Sequence, residues 1–89
     1  MSNEFFNLIV RSREGVVYKG QVTSITSYNN KGMFDVLATH TNFISLIQKK
    51  LLIIDSENKK SEIEVNNALL RVKENNVEVY VGVEKILPY

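Results

Sequence analysis

Residues 61–82 read SEIEVNNALLRVKENNVEVYVG, and their spacing decides the fold class. Ile63 and Val65 alternate with Glu62 and Glu64, and Val77, Val79 and Val81 alternate with Glu78 and Tyr80. Successive side chains of a pleated strand point to opposite faces, so a period of two marks strands with one face in the core and one in water. Ala68, Leu70 and Val72 continue the inward face, and Lys73-Glu74-Asn75-Asn76 supplies the turn before Val77. The valines themselves favour extended backbone.

The same period extends back to the start of the chain. Phe6, Leu8 and Val10 mark a first strand, and Ser12-Arg13-Glu14-Gly15 a turn in which Gly15 suits a positive φ. Val16 to Tyr18 reads as a short strand ended at Gly20. Val22 and Ile25 stand three apart, and a β-bulge near Thr23-Ser24 would return both to the core face. Asn29-Asn30-Lys31-Gly32 is a second strong turn, followed by a strand over Met33 to Leu37 and a polar loop over Ala38 to Asn42. Phe43 to Ile47 and Leu51 to Ile54 read as two apolar strands separated by Gln48-Lys49-Lys50. Their continuous hydrophobicity predicts burial on both faces, in the core and under a partner. No stretch carries a helical period over eleven residues; Val83 to Leu87 offers one helical turn at most before Pro88. The expected fold is all-β, an antiparallel β-sandwich or flattened barrel of about nine to ten short strands. Residues 1–89 form a single domain in this reading.

Composition narrows the function. Eleven basic against ten acidic residues argue against a nucleic-acid binder driven by counterion release, which carries a clustered basic excess. The chain has no cysteine, which excludes disulfides and thiolate metal sites and suits a reducing compartment. Met1-Ser-Asn-Glu shows no signal-peptide pattern, and the aliphatic run Leu51-Leu52-Ile53-Ile54 is far short of the roughly 20 residues that span a bilayer. His40 is the only imidazole and sits in a polar loop, where a structural or contact role is the ordinary one. Glu62, Glu64 and Glu78 read as a solvated face, and Glu14 and Asp35 as turn and strand-edge residues. The four glycines, Gly15, Gly20, Gly32 and Gly82, are unclustered and open no phosphate-binding loop. Lys49-Lys50 and Lys59-Lys60 fall in predicted turns, without the interleaved aromatics of a single-strand binder. No catalytic residue, cofactor or metal is expected, and the chain reads as a binding or structural module.

The order of these pieces resembles one family. FNLIVRSREGVVYKGQVTSITS, residues 6–27, is similar to the opening of F-type ATP synthase epsilon subunits, a strand and a polar turn with E-G-V-V-Y-x-G leading into a bulged strand. The family's E-G-E-L-G-I-x-P-G-H-A-P-L-L loop matches KGMFDVLATHTNFISLI, residues 31–47, with Gly32, Val36, Leu37, His40, Phe43 and Ile44 in register. P-G-x-L-R-I corresponds to KKLLII from Lys49, S-G-G-x-L-E-V to NNALLRV from Asn66, and N-x-V-T-V-L-A to NNVEVYVG from Asn75. Both glycine signatures are eroded: Ala38-Thr39 replaces P-G, which implies a differently shaped loop, and Asn67-Ala68 replaces G-G. Asparagine tolerates left-handed backbone, so Asn66-Asn67 is an acceptable replacement there.

The resemblance implies the N-terminal β-sandwich of an epsilon subunit, a non-catalytic rotor of the central stalk between the gamma subunit and the c-ring. Gamma-contact residues carried over from the family are Ser12, His40, Thr41, Phe43 and Ser45, and c-ring-contact residues are Asn29, Asn30, Lys31, Gly32, Met33 and Phe34. Cofactors and metals are none. The implied location is cytoplasmic, peripheral to the membrane through the complex. The family's C-terminal helical hairpin is expected to be absent, and with it nucleotide binding and the conformational brake. Two rivals remain: an epsilon-like subunit of a paralogous rotary motor without a proton-conducting ring, which the eroded loop would suit, and a small nucleic-acid-binding β-barrel, which the balanced charge disfavours.

Overall fold

The computed structural model describes residues 4–38 and 42–82. The turns expected at Ser12–Gly15, Asn29–Gly32 and Lys73–Asn76 all form, with Gly15 at φ 130° and Gly32 at φ 120°. They separate strands β1 (Phe6–Ser12), β2 (Gly15–Asn29), β3 (Gly32–Leu37), β4 (Phe43–Asp55), β5 (Lys60–Lys73) and β6 (Asn76–Val81). Spatial order is β1-β6-β5-β4-β2-β3, and β1 also pairs with β2. Five strands therefore close into a flattened barrel, and β3 hangs on β2 as a sixth.

Among the described residues, six strands replace the expected nine to ten because residues read as breaks lie inside continuous ladders. β2 runs through Gly20, β4 through Gln48-Lys49-Lys50, and β5 through Asn66-Asn67. Gly20 simply pairs with Leu8 in regular register, and for β4 and β5 the physical reason is bulging. A bulge bends a strand and shifts its register without ending its pairing. Lys49 takes φ 74° while the strand carries on. From Ile47 to Lys49 the partners on β5 step from Ala68 to Val65, so the extra residue lies at Asn66-Asn67. Neither of those asparagines has positive φ, so the left-handed role expected of them is not the one they play. The bulge expected near Thr23-Ser24 is present. Val22 faces Asp55 and Ser24 faces Ile54, which leaves Thr23 as the extra residue and sends Val22 and Ile25 into the core. There β2 exchanges neighbours, pairing with β1 up to Val22 and with β3 from Ser24.

The sheet also departs from uniform antiparallel pairing. β1 and β6 run parallel, Leu8 beside Val77 and Val10 beside Val79. Parallel neighbours need a long connection, and here the rest of the chain supplies it. This seam joins the two ends of the described chain and closes the core.

That core holds Phe6, Leu8 and Val10 of β1, Val22 and Ile25 of β2, Val36 of β3, Ile47, Leu51 and Ile53 of β4, Val65, Ala68, Leu70 and Val72 of β5, and Val77 and Val79 of β6. Among the described residues its one buried polar side chain, Ser27, donates to the carbonyl oxygen of Lys50 at 2.8 Å, which offsets the cost of desolvating the hydroxyl. Burial, with the Asp55 carboxylate as a smaller contributor, holds the Tyr18 phenol above its ordinary range.

One turn is chemically mismatched. Lys73 pairs with Asn76, and Glu74 between them sits at φ 57°. A side chain there costs about 1 kcal/mol that glycine does not. Its backbone N–H donates to Asn42 Oδ1 at 2.7 Å, a bond any residue at 74 retains. Glu74→Gly should therefore raise unfolding stability by about 1 kcal/mol, measured as a higher urea midpoint at unchanged slope. A lower midpoint would show the turn to be relaxed with glutamate.

Candidate protein interface

The β2–β3 turn is held by its own side chains. Asn29 Oδ1 accepts the backbone N–H of Lys31 at 2.8 Å, and Asn29 pairs with Gly32 at the hairpin end. Asn30, Lys31 and Gly32 are exposed. Met33 projects outward at 66% exposure, but Phe34 does not share that face. It shares the inward face of Val36, is half-buried against the core, and meets Phe43 edge-on with ring centroids 5.8 Å apart.

The start of β4 supplies the other wall. Phe43 packs against the core, Ser45 is half-buried, and Ile47 is buried. Between them Ile44 and Leu46 point outward at 64% and 67% exposure. The inner half of the two-sided burial expected for Phe43–Ile47 is present, and the outer row is bare in this chain. Across the sheet, Leu46 pairs with Leu69 and Leu69 with Tyr80, while Ile44 pairs with Arg71 and Arg71 with Glu78. The outer face thus carries an apolar row beside a charged one, in which Arg71 and Glu78 approach to 3.7 Å. Ile44 and Leu46 were not among the candidate contacts. Their signal was the apolar run Phe43-Ile44-Ser45-Leu46-Ile47, with apolar residues on both faces, which a half-buried strand has no reason to carry.

These walls meet. Asn29 Nδ2 donates to Ser45 Oγ at 3.1 Å, tying the ring-contact candidates to the gamma-contact candidates. An open groove of about 630 Å³ runs between them, lined by Asn29, Asn30, Lys31, Ile44, Ser45 and Leu46 among others. Beside it Lys49 Nζ lies 5.2 Å over the Tyr28 ring. Ser12 is not part of this surface. It ends β1 beside Gly15, at the opposite end of 15-residue β2 from Asn29, where its hydroxyl accepts the Glu14 N–H at 3.2 Å. His40 and Thr41 lie outside the described residues.

Such a surface suits protein contact, with apolar side chains at its centre and polar groups around them. Among the described residues, no three His, Asp or Glu side chains gather as metal ligands would. No helix there is long and apolar enough to cross a membrane.

The profile of a family described as ATP synthase, delta/epsilon chain, beta-sandwich domain, matches residues 5–83. The chain belongs to this family. An ATP synthase epsilon chain of Helicobacter pylori (strain Shi470) is 36% identical over 66 residues, covering 74% of this chain and 54% of that one. The epsilon chain of Sulfurimonas denitrificans is 33% identical over 75 residues, covering 83% and 58%. This delta/epsilon-type chain thus spans about half the length of the curated relatives it matches. Its fold also matches a chain in a structure of the Euglena gracilis mitochondrial ATP synthase, OSCP/F1/c-ring, with TM-score 0.79 at 18% identity, over 91% of this chain and 52% of that one. A chain of the Tetrahymena thermophila mitochondrial ATP synthase central stalk and c-ring gives TM-score 0.71 at 13% identity, over 91% and 66%. Both chains share this chain's fold. In this chain, Lys31 and Phe43 to Ile47, from one of the stretches that carried the resemblance, line the groove.

Proposed function

We propose that this sandwich, acting as a single domain over residues 1–89, is a non-catalytic rotor subunit in the central stalk of an F-type ATP synthase. It joins the gamma subunit to the c-ring and turns with them, in the cytoplasm and peripheral to the membrane through the complex. The observation that carries this reading is the continuous surface on which the β2–β3 hairpin meets the bare Ile44–Leu46 row. In this assignment Ile44 and Leu46 bind gamma together with Phe43, Ser45, His40 and Thr41, and Ser12 contacts gamma separately. Asn29, Asn30, Lys31, Gly32 and Met33 face the ring, with Phe34 bracing the hairpin from inside. A rigid closed barrel is suited to the task, since torque passes through a body only if the body does not shear.

The test is direct binding of the purified chain to purified gamma subunit and to detergent-solubilised c-ring from the same organism, measured by calorimetry and by co-elution. Binding to both is expected. No binding to gamma would overturn the stalk assignment, and binding to gamma without the ring would move the chain to a ringless rotary motor.

A further inference from the structure

Three hydrogen bonds run in series from the β2–β3 turn to the outer row of β4. The Lys31 N–H donates to Asn29 Oδ1 at 2.8 Å, Asn29 Nδ2 donates to Ser45 Oγ at 3.1 Å, and Ser45 Oγ donates to the Leu46 carbonyl oxygen at 3.1 Å. Because the Lys31 amide occupies the oxygen end of the Asn29 carboxamide, only its donor end faces β4. The place of this relay matters. Backbone pairing between β2 and β4 reaches its last rung at Tyr28 and Gln48. Past that rung, the Asn29–Ser45 bond and the Phe34–Phe43 contact hold the hairpin against β4 by side chains. Asn29 and Ser45 are half-buried, so their bond is shielded in part from competing water.

We infer that Asn29 is a positioning residue that fixes the hairpin against the start of β4, so that the two contact sets bind their partners as one body. This rests on the stalk reading above. Its distinctive consequence is a cross-effect. Ser45 belongs to the gamma-facing set and Asn29 to the ring-facing set, yet altering either one displaces both.

The experiment compares Asn29→Ser, Ser45→Ala, their combination and Ser45→Thr in the full chain. Asn29→Ser keeps an oxygen able to accept the Lys31 N–H across the turn but is too short to reach Ser45. Each of these two variants should weaken binding to both purified gamma and solubilised c-ring by about fivefold, the usual worth of one hydrogen bond. The double variant should be no weaker than the weaker single, and Ser45→Thr, which keeps the hydroxyl, should retain both affinities. In the free chain, Ser45→Ala should speed hydrogen exchange at the Lys31 amide by about the same factor. Ring affinity untouched by Ser45→Ala, losses that multiply in the double variant, or unchanged exchange at Lys31 would each overturn the inference. If the unaltered chain bound neither partner, the stalk reading would fall, and the exchange at Lys31 would still decide whether Asn29 positions the hairpin.

Discussion

Leu46→Asp should weaken binding to the gamma subunit roughly 30- to 1000-fold, and its combination with Ile44→Asp should abolish measurable binding, while both leave the sandwich folded. The two side chains are 67% and 64% exposed in the free chain, so little of the core depends on them. On association they sit at the centre of the bare row, where burying a Leu or Ile contributes about 1.5–3 kcal/mol. An aspartate there forfeits that gain and must also lose its hydration without a built partner. A central contact of this kind costs about 2–4 kcal/mol when destroyed, roughly 30- to 1000-fold in affinity, and the double variant should fall below detection. Folding should respond far less. Substitutions on an exposed strand face away from special features stay within about 0.5 kcal/mol, and the poor strand propensity of aspartate adds up to about 1 kcal/mol. A titration against purified gamma, with thermal unfolding alongside, separates the two effects. Unchanged affinity in the double variant would remove the Ile44–Leu46 row from the interface.

The fold class was legible in the sequence because alternation is a direct record of which face meets water. Val77, Val79 and Ile63, Val65 could be assigned without tertiary information. Strand number was not legible, because the same residues that end strands also bulge them. Gln48-Lys49-Lys50 looks like a turn, and Lys49 does adopt the left-handed backbone of one, yet the ladder to β5 continues on both sides. The parallel seam of β1 and β6 was equally hidden. Both strands read as ordinary half-buried runs, and nothing local records that the first and last described strands lie side by side.

The candidate interface divides in the same way. Asn29-Asn30-Lys31-Gly32 announced its turn through residue types that tolerate it. The opposite faces of Met33 and Phe34 were decidable from sequence, since Phe34 stands two residues from Val36 and must share its inward side. Ile44 and Leu46 were a harder case. A run such as FISLI says that both faces of the strand want cover, but the chain's own sequence cannot say which face it covers itself. Only the placement of Ile47, Val72 and Leu70 inside the barrel leaves Ile44 and Leu46 outside.

Leu8→Ala should be among the most damaging single substitutions in the core, and Gly20→Ala should partly repair it. Leu8 is 1% exposed on β1, the strand that closes the barrel, with Val77 of β6 on one side and Gly20 of β2 on the other. Truncating a buried leucine costs about 2–5 kcal/mol, more where the surroundings cannot collapse into the void. Gly20 has no side chain to move, so we expect about 3–4 kcal/mol. A domain of this size holds only about 4–13 kcal/mol in total, so the variant should lose well over 10 °C in Tm and sit near the limit of folding. Gly20 does not use the left-handed region, and a Cβ built there meets the Tyr18 ring at an ordinary 3.8 Å. Gly20→Ala alone should therefore stabilise by about 0.5–1 kcal/mol through reduced backbone freedom. In the Leu8→Ala background the new methyl projects to the same inner face as the void, because Leu8 and Gly20 are directly paired. The gain there should exceed the gain in the unaltered chain by at least about 0.5 kcal/mol in a double-mutant cycle. Additive effects would mean that the void closes through Val77 instead, and a loss below about 1 kcal/mol for Leu8→Ala would mean that the parallel seam is not where the barrel is held shut.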